Sequence, residues 1–183
     1  MGANDAALQQ AQPSHHVGLA EFSANLEALV AHVRAVYGAS APPVVLITPP
    51  PVDEAARVRA NHERFGTPTD APAERRLDVT AGYAAATVAL SARLGCPVRD
   101  AFTSFQQDAD WRSYLDDGLH FAPAGDAALH AALLALIEAQ LPSLAPAAIP
   151  YDTPEWADFE GCGEGAAALR VRPQPGSPYI PRV

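Results

Sequence analysis

Asp117 and His120 stand three residues apart in Asp117-Gly118-Leu119-His120-Phe121, a polar loop just ahead of an apolar helix. A carboxylate at that spacing can fix the tautomer of an imidazole, which can then take a proton from a nucleophile. The pair makes two thirds of a hydrolytic triad, with His120 as general base and Asp117 as its orienting partner. The same pattern also arises from a turn-capping Asp beside a His satisfied by the backbone, because D-x-x-H is short and common. A second constellation is Gly2-Ala3-Asn4-Asp5. There a side-chain amide can be aimed at a developing oxyanion, or the same residues can form an Asx turn. His16 lies close to Asn4 in sequence and is expected at the rim of a pocket. The nucleophile is the missing member: Ser14, Ser23, Ser91, Ser104 and Ser113 stand in no setting that activates a hydroxyl. No histidines pair at H-x₃-H spacing and no H-E-x-x-H helix occurs, so a zinc site is not expected. The glycines of Gly161-Cys162-Gly163-Glu164-Gly165 follow no strand and make no phosphate loop.

The elements that must position these groups follow from periodicity. Leu19, Phe22, Leu26, Leu29, Val30 and Val33 recur at helical spacing, with Gly38 as a stop. Val44-Val45-Leu46-Ile47, closed by three prolines, has the pattern of a strand buried on both faces. Residues 53–80 read as a short helix and a loop. A helix is expected over 79–94, with Tyr83, Thr87, Leu90 and Leu94 on one face, and a second strand over 96–102. Residues 103–123 read as the loop that carries Asp117 and His120. The last helix covers 124–141, with Leu129, Leu133, Leu136, Ile137 and Leu141 inward. Such alternation argues for an α/β fold with a parallel sheet. Two short strands do not close a sheet, so further strands are expected upstream of Met1. Residues 1–142 form the expected domain; residues 143–183 form a tail rich in Pro, Gly and Ala, expected to be partly disordered.

The chain has 183 residues, 49% hydrophobic and 18% charged, enough for one ordinary core. A net charge of −9 argues against a nucleic-acid partner or a basic membrane anchor. No run is long and apolar enough to span a bilayer and no signal-peptide pattern opens the chain, so a cytoplasmic place is expected. Cys96 and Cys162 fit reduced thiols there, with one disulfide as the alternative.

Three blocks in order carry a family resemblance: Gly2-Ala3-Asn4-Asp5, Ile47-Thr48-Pro49-Pro50-Pro51-Val52 and Asp117-Gly118-Leu119-His120-Phe121 with Gly125. Arg76-Leu77, Tyr83-Ala84, Asp110-Trp111 and Pro154-Glu155-Trp156 add to it. The chain resembles the SGNH (GDSL-type) hydrolases, and within them the isoamyl acetate-hydrolysing esterases. The resemblance implies a three-layer α/β/α, flavodoxin-like fold with a five-stranded parallel sheet, of which the first three strands are lacking. It implies hydrolysis of short-chain carboxylic esters by a Ser-His-Asp triad, with no metal or organic cofactor. His120 is the implied base, Asp117 its partner, Asn4 an oxyanion donor, and Gly2 and His16 line the substrate side. The family's GDS block, with its nucleophilic serine, lies upstream of Gly2 in the pattern and is absent from this sequence. The expectation is a truncated, inactive form of an esterase whose partner is a small ester, with self-association through an open sheet edge. The alternative is a non-catalytic binding protein derived from an esterase.

Overall fold

The computed structural model describes residues 2–149 and, beyond them, the two paired segments Phe159–Glu160 and Arg170–Val171. The chain divides into two compact units, residues 1–140 and 141–183. The first unit runs α1 (Leu19–Tyr37), β1 (Leu46–Ile47), α2 (Glu54–Phe65), α3 (Leu77–Leu94), β2 (Val98–Arg99), α4 (Ala101–Phe105), a 3₁₀ turn (Trp111–Tyr114) and α5 (Pro123–Gln140).

β1 and β2 pair in parallel, Leu46 opposite Val98 and Ile47 opposite Arg99. Backbone bonds from Leu46 N–H to Pro97 O (2.9 Å) and Thr48 N–H to Arg99 O (3.1 Å) extend the ladder by one step each way. Pro49-Pro50-Pro51 then ends it, because proline has no N–H to donate. Helices flank this small sheet: α3 packs on both strands and α5 on β2. α1 and α3 pack together, burying Phe22, Leu26 and Val30 at i, i+4, i+8 against Tyr83 and Leu90. The Phe22 and Tyr83 rings meet edge to face at 5.1 Å, and the Tyr83 hydroxyl donates to Val17 O at 2.6 Å. A second cluster, Phe105, Trp111 and Leu115, packs against Phe121 and Leu129 beneath the Asp117 loop.

The strands are shorter than the apolar runs. Leu46 is buried, but Ile47, Val98 and Arg99 are only half-buried, so the strands are not covered on both faces. The second strand stops at Arg99 because Asp100 caps a helix instead. Its Oδ1 accepts from Thr103 N–H (3.0 Å) and from the Thr48 hydroxyl (3.2 Å), and Thr48 Oγ1 accepts from Phe102 N–H (3.0 Å). α4 therefore begins inside the expected strand, and α4 and the 3₁₀ turn occupy what was expected as loop. Asp100→Ala removes the cap and one end of the tie to Thr48. A loss of about 1–2 kcal/mol is expected in a urea titration, at the usual cost of an N-cap. Of the five positions expected to face inward only Leu136 is buried; Leu129, Leu133 and Ile137 of α5, and Leu141 just past its end, are half-buried, since β2 and the 3₁₀ turn at Trp111–Tyr114 cover only part of the apolar face of α5.

In the second unit a 3₁₀ turn (Pro142–Leu144) is followed by an antiparallel pair, β3 (Phe159–Glu160) and β4 (Arg170–Val171). No strand was expected in this tail. Apart from that pair, residues 150–183 lie outside the described residues, and with them the expected disorder, Cys162, the glycine run and Pro154-Glu155-Trp156. No described helix is long and apolar enough to cross a membrane.

Candidate functional site

The Asp117 loop is closed by backbone bonds and held open at its tip by one glycine. Leu115 bridges Phe121, Asp116 N–H donates to His120 O at 2.9 Å, and Ala122 N–H donates to Tyr114 O at 2.9 Å. Within this frame Asp117 Oδ1 accepts from Leu119 N–H (3.0 Å) and His120 N–H (2.8 Å). Oδ2 faces the His120 ring, 2.9 Å from Nδ1. An ionised carboxylate only accepts, so the ring nitrogen facing it carries the proton and Nε2 is left for proton transfer. Gly118 has φ +82°, and its carbonyl accepts from Asp53 N–H at 3.0 Å, seating the loop on the N-terminus of α2.

α2 supplies a group that sequence reasoning missed. Arg57 Nη1 donates to Asp117 Oδ2 at 2.5 Å, and its Nε donates to Glu74 Oε1 at 2.6 Å. Asn61, one turn on, donates to Glu74 Oε2 at 2.7 Å. Burial alone would push the Asp117 carboxyl up. The two backbone N–H groups, the His120 ring and the Arg57 charge outweigh it and bring the group down to about 2. Glu74 is likewise lowered: burial opposes, while Asn61 and Arg57 prevail.

Asn4 is held from the same side. Arg75, 2% exposed, donates from Nε to Ala3 O (2.9 Å), from Nη2 to Asn4 Oδ1 (3.1 Å) and from Nη1 to Gln12 Oε1 (2.9 Å). Ala7 bridges Arg75, and Leu8 N–H donates to Glu74 O at 2.9 Å, so the first loop is stitched to the residues before α3.

Gly2, Asn4 and His120 line one cavity of about 400 Å³, walled by Phe22, Asn25, Leu26 and Leu29 of α1 and by Leu119. Its size and mainly apolar wall suit a small organic molecule with a few convergent polar groups. Asp117 stands behind His120. His16 is not among the lining residues; its Nδ1 bonds Ala7 O at 2.7 Å and ties the loop instead. Among the described residues no serine lines this cavity. Ser23, Ser91 and Ser113 donate to carbonyls of their own helices or turn, Ser104 accepts from Arg99, and Ser14 bonds His15. Among the described residues no three His, Cys, Asp or Glu side chains are grouped to hold a metal ion.

The sequence pattern of a GDSL-like lipase/acylhydrolase family matches residues 1–128. An isoamyl acetate-hydrolyzing esterase 1 homolog of Mus musculus is 37% identical over 160 residues, which is 87% of this chain and 60% of that protein. The corresponding Homo sapiens protein is 36% identical over 150 residues, 82% of this chain and 58% of that one. A GDSL esterase/lipase of Arabidopsis thaliana is 32% identical over 162 residues, 87% of this chain and 65% of that one. In three dimensions the chain is similar to the crystal structure of a lipase/acylhydrolase from Enterococcus faecalis, with TM-score 0.55 and 26% identity, covering 76% of this chain and 58% of that one. The chain spans about 60% of the length of the esterase homologs it matches. With its first 128 residues matched by the family pattern, and an α/β arrangement shared with a solved acylhydrolase, the chain belongs to the GDSL-like lipase/acylhydrolase family.

Proposed function

We propose that this chain carries the acid–base and oxyanion parts of a site that hydrolyses short-chain carboxylic esters. The observation behind this reading is that Asn4 and His120 line one cavity, with Asp117 bonded to the far side of the imidazole. In the reaction, His120 Nε2 takes the proton of a serine hydroxyl as its oxygen attacks the ester carbonyl. The tetrahedral oxyanion that forms accepts from the Asn4 amide. His120 then returns the proton to the departing alcohol, and water repeats the sequence on the acyl-enzyme. Asp117 stays ionised throughout and orients the ring. Gly2 forms part of the cavity wall, and His16 acts through the loop it ties. No step calls for a metal or organic cofactor.

No serine of this chain is assigned as the nucleophile, and the 183 residues alone are expected to be inactive. The serine, and the strands that complete a three-layer, flavodoxin-like sheet, belong in this reading to a segment carrying the GDS block. Residues 1–142 are then a partial hydrolase domain and 143–183 an appended tail.

The test is a chimera in which the GDS-bearing N-terminal segment of a family member precedes Gly2. It is expected to hydrolyse 4-nitrophenyl acetate, and His120→Ala is expected to lower kcat/KM by about 10³–10⁴-fold, as loss of a triad base does. A folded chimera with no turnover would overturn the catalytic reading. That no serine lines the cavity among the described residues favours a second reading, a binding protein that keeps the pocket and not the chemistry. It predicts that the 183-residue chain binds a small ester, read by chemical-shift changes at His120 and Leu119.

A further inference from the structure

Arginine has five N–H donors and no acceptor. The atom of the Asn4 amide that meets Arg75 Nη2 at 3.1 Å is therefore its oxygen, and the NH₂ is left as a donor. Asn4 is exposed at the cavity wall, where nothing else described holds its side chain oxygen, while Arg75 is almost wholly buried. The guanidinium is itself fixed at every edge: Ala3 O and Gln12 Oε1 take its Nε and Nη1, and Glu74 Oε1 lies 3.8 Å from Nη1. From these contacts we infer that Arg75 is a positioning residue, which sets the direction in which the Asn4 amide presents its NH₂ to the cavity.

The inference deepens the ester-hydrolase reading and rests on it for its purpose, though not for its geometry. A free Asn side chain turns about χ2 and offers oxygen or nitrogen alike, and an oxygen facing a developing oxyanion repels it. A buried fork that only donates removes that choice. The Glu74 carboxylate that stands beside Arg75 also takes Arg57 Nε at 2.6 Å, and Arg57 in turn holds Asp117. The donor arm and the acid–base arm are thus referenced to one buried carboxylate, although Asn4 and Asp117 are far apart in sequence. Lysine in place of Arg75 keeps the charge beside Glu74 and loses the planar fork.

The test uses the 183-residue chain labelled with ¹⁵N-asparagine. Asn4, Asn25 and Asn61 are its only asparagines, so three side-chain amides are observed. In Arg75→Lys the order parameter of the Asn4 side-chain amide is expected to fall into the flexible range, below about 0.6, while Asn61 stays fixed on Glu74. Gln12→Ala removes another partner of the same guanidinium and is expected to leave Asn4 ordered. An Asn4 amide equally ordered in Arg75→Lys, or equally loosened by Gln12→Ala, would overturn the inference. Should Arg75→Lys not fold, the isosteric Asn4→Asp serves. The carboxyl it introduces is expected to titrate below the usual aspartate range if Arg75 faces it, and an ordinary titration overturns the inference. None of these readouts needs turnover. An inactive chimera with an ordered Asn4 therefore sinks the esterase reading alone, and a disordered Asn4 in an active chimera sinks the positioning role alone.

Discussion

Gly118→Ala is expected to destabilise the first unit by about 3 kcal/mol, through two separable causes. The residue sits at φ +82°, where a side chain strains the backbone by about 1–2 kcal/mol. A Cβ there would also overlap the Asp53 carbonyl oxygen and the Arg57 amide nitrogen, both backbone atoms that cannot turn aside. Relief requires the Asp117 loop to lift off the N-terminus of α2, at a further cost of about 1–3 kcal/mol, typical of overpacking. Gly66 separates the two causes. It has φ +69° at the end of α2, with nothing within 4 Å of its added Cβ, so Gly66→Ala carries the strain alone. In thermal unfolding Gly118→Ala should lower Tm by about 10 °C and Gly66→Ala by a third to a half of that. The imidazole reports the same event. Once the loop lifts, Arg57 no longer pins Asp117, and the ¹⁵N shifts of His120 should show both tautomers where the native chain shows one. Equal Tm losses for the two glycines would mean that the loop does not rest on α2 as described.

Local chemistry was readable from the sequence, and chemistry assembled across the fold was not. Asp117 and His120 are three residues apart, so their pairing needs only a turn, and the turn is built from Asp117's own bonds to Leu119 and His120 N–H. The α1–α3 core was equally plain, because Phe22, Leu26, Val30, Tyr83 and Leu90 lie on apolar stripes at helical period. Arg57 left no such signal. α2 buries none of its residues; it is placed by Arg57 and Asn61 reaching Glu74, and hydropathy does not register a helix docked by polar groups. Arg75 is one of three consecutive charged residues, Glu74-Arg75-Arg76, before a helix, and only the fold shows Arg75 buried and Arg76 exposed on Asp78. The strand ends failed for a related reason. Asp100 can continue a strand or cap a helix, and its choice is made by Thr48, far away in sequence and adjacent in space.

Replacing Arg57 by methionine should cost about 2–3 kcal/mol at neutral pH, and the cost should shrink in acid. Methionine keeps much of the stem volume and removes a charge that serves two carboxylates at once, Asp117 and Glu74. Stripping one partner from a fully buried ion pair costs about 3–5 kcal/mol. These side chains retain 12%, 19% and 8% exposure, and the water they see reduces the figure. The pH dependence has a definite sign. Asp117 and Glu74 both titrate lower in the folded chain than their free values, Asp117 at about 2. Each therefore contributes stability that is fully present above its free value, about pH 5 for the pair, and is lost as the pH falls through the folded value. Arg57 is one source of that lowering, so in Arg57→Met the carboxylates protonate at higher pH and the native chain loses its advantage as both become neutral. Urea titrations at pH 7 and pH 3 should show a smaller gap between the two proteins at pH 3. A gap of the same size at both pH values would mean that Arg57 stabilises by packing its stem, and that the charge it places on Asp117 does not hold the His120 loop.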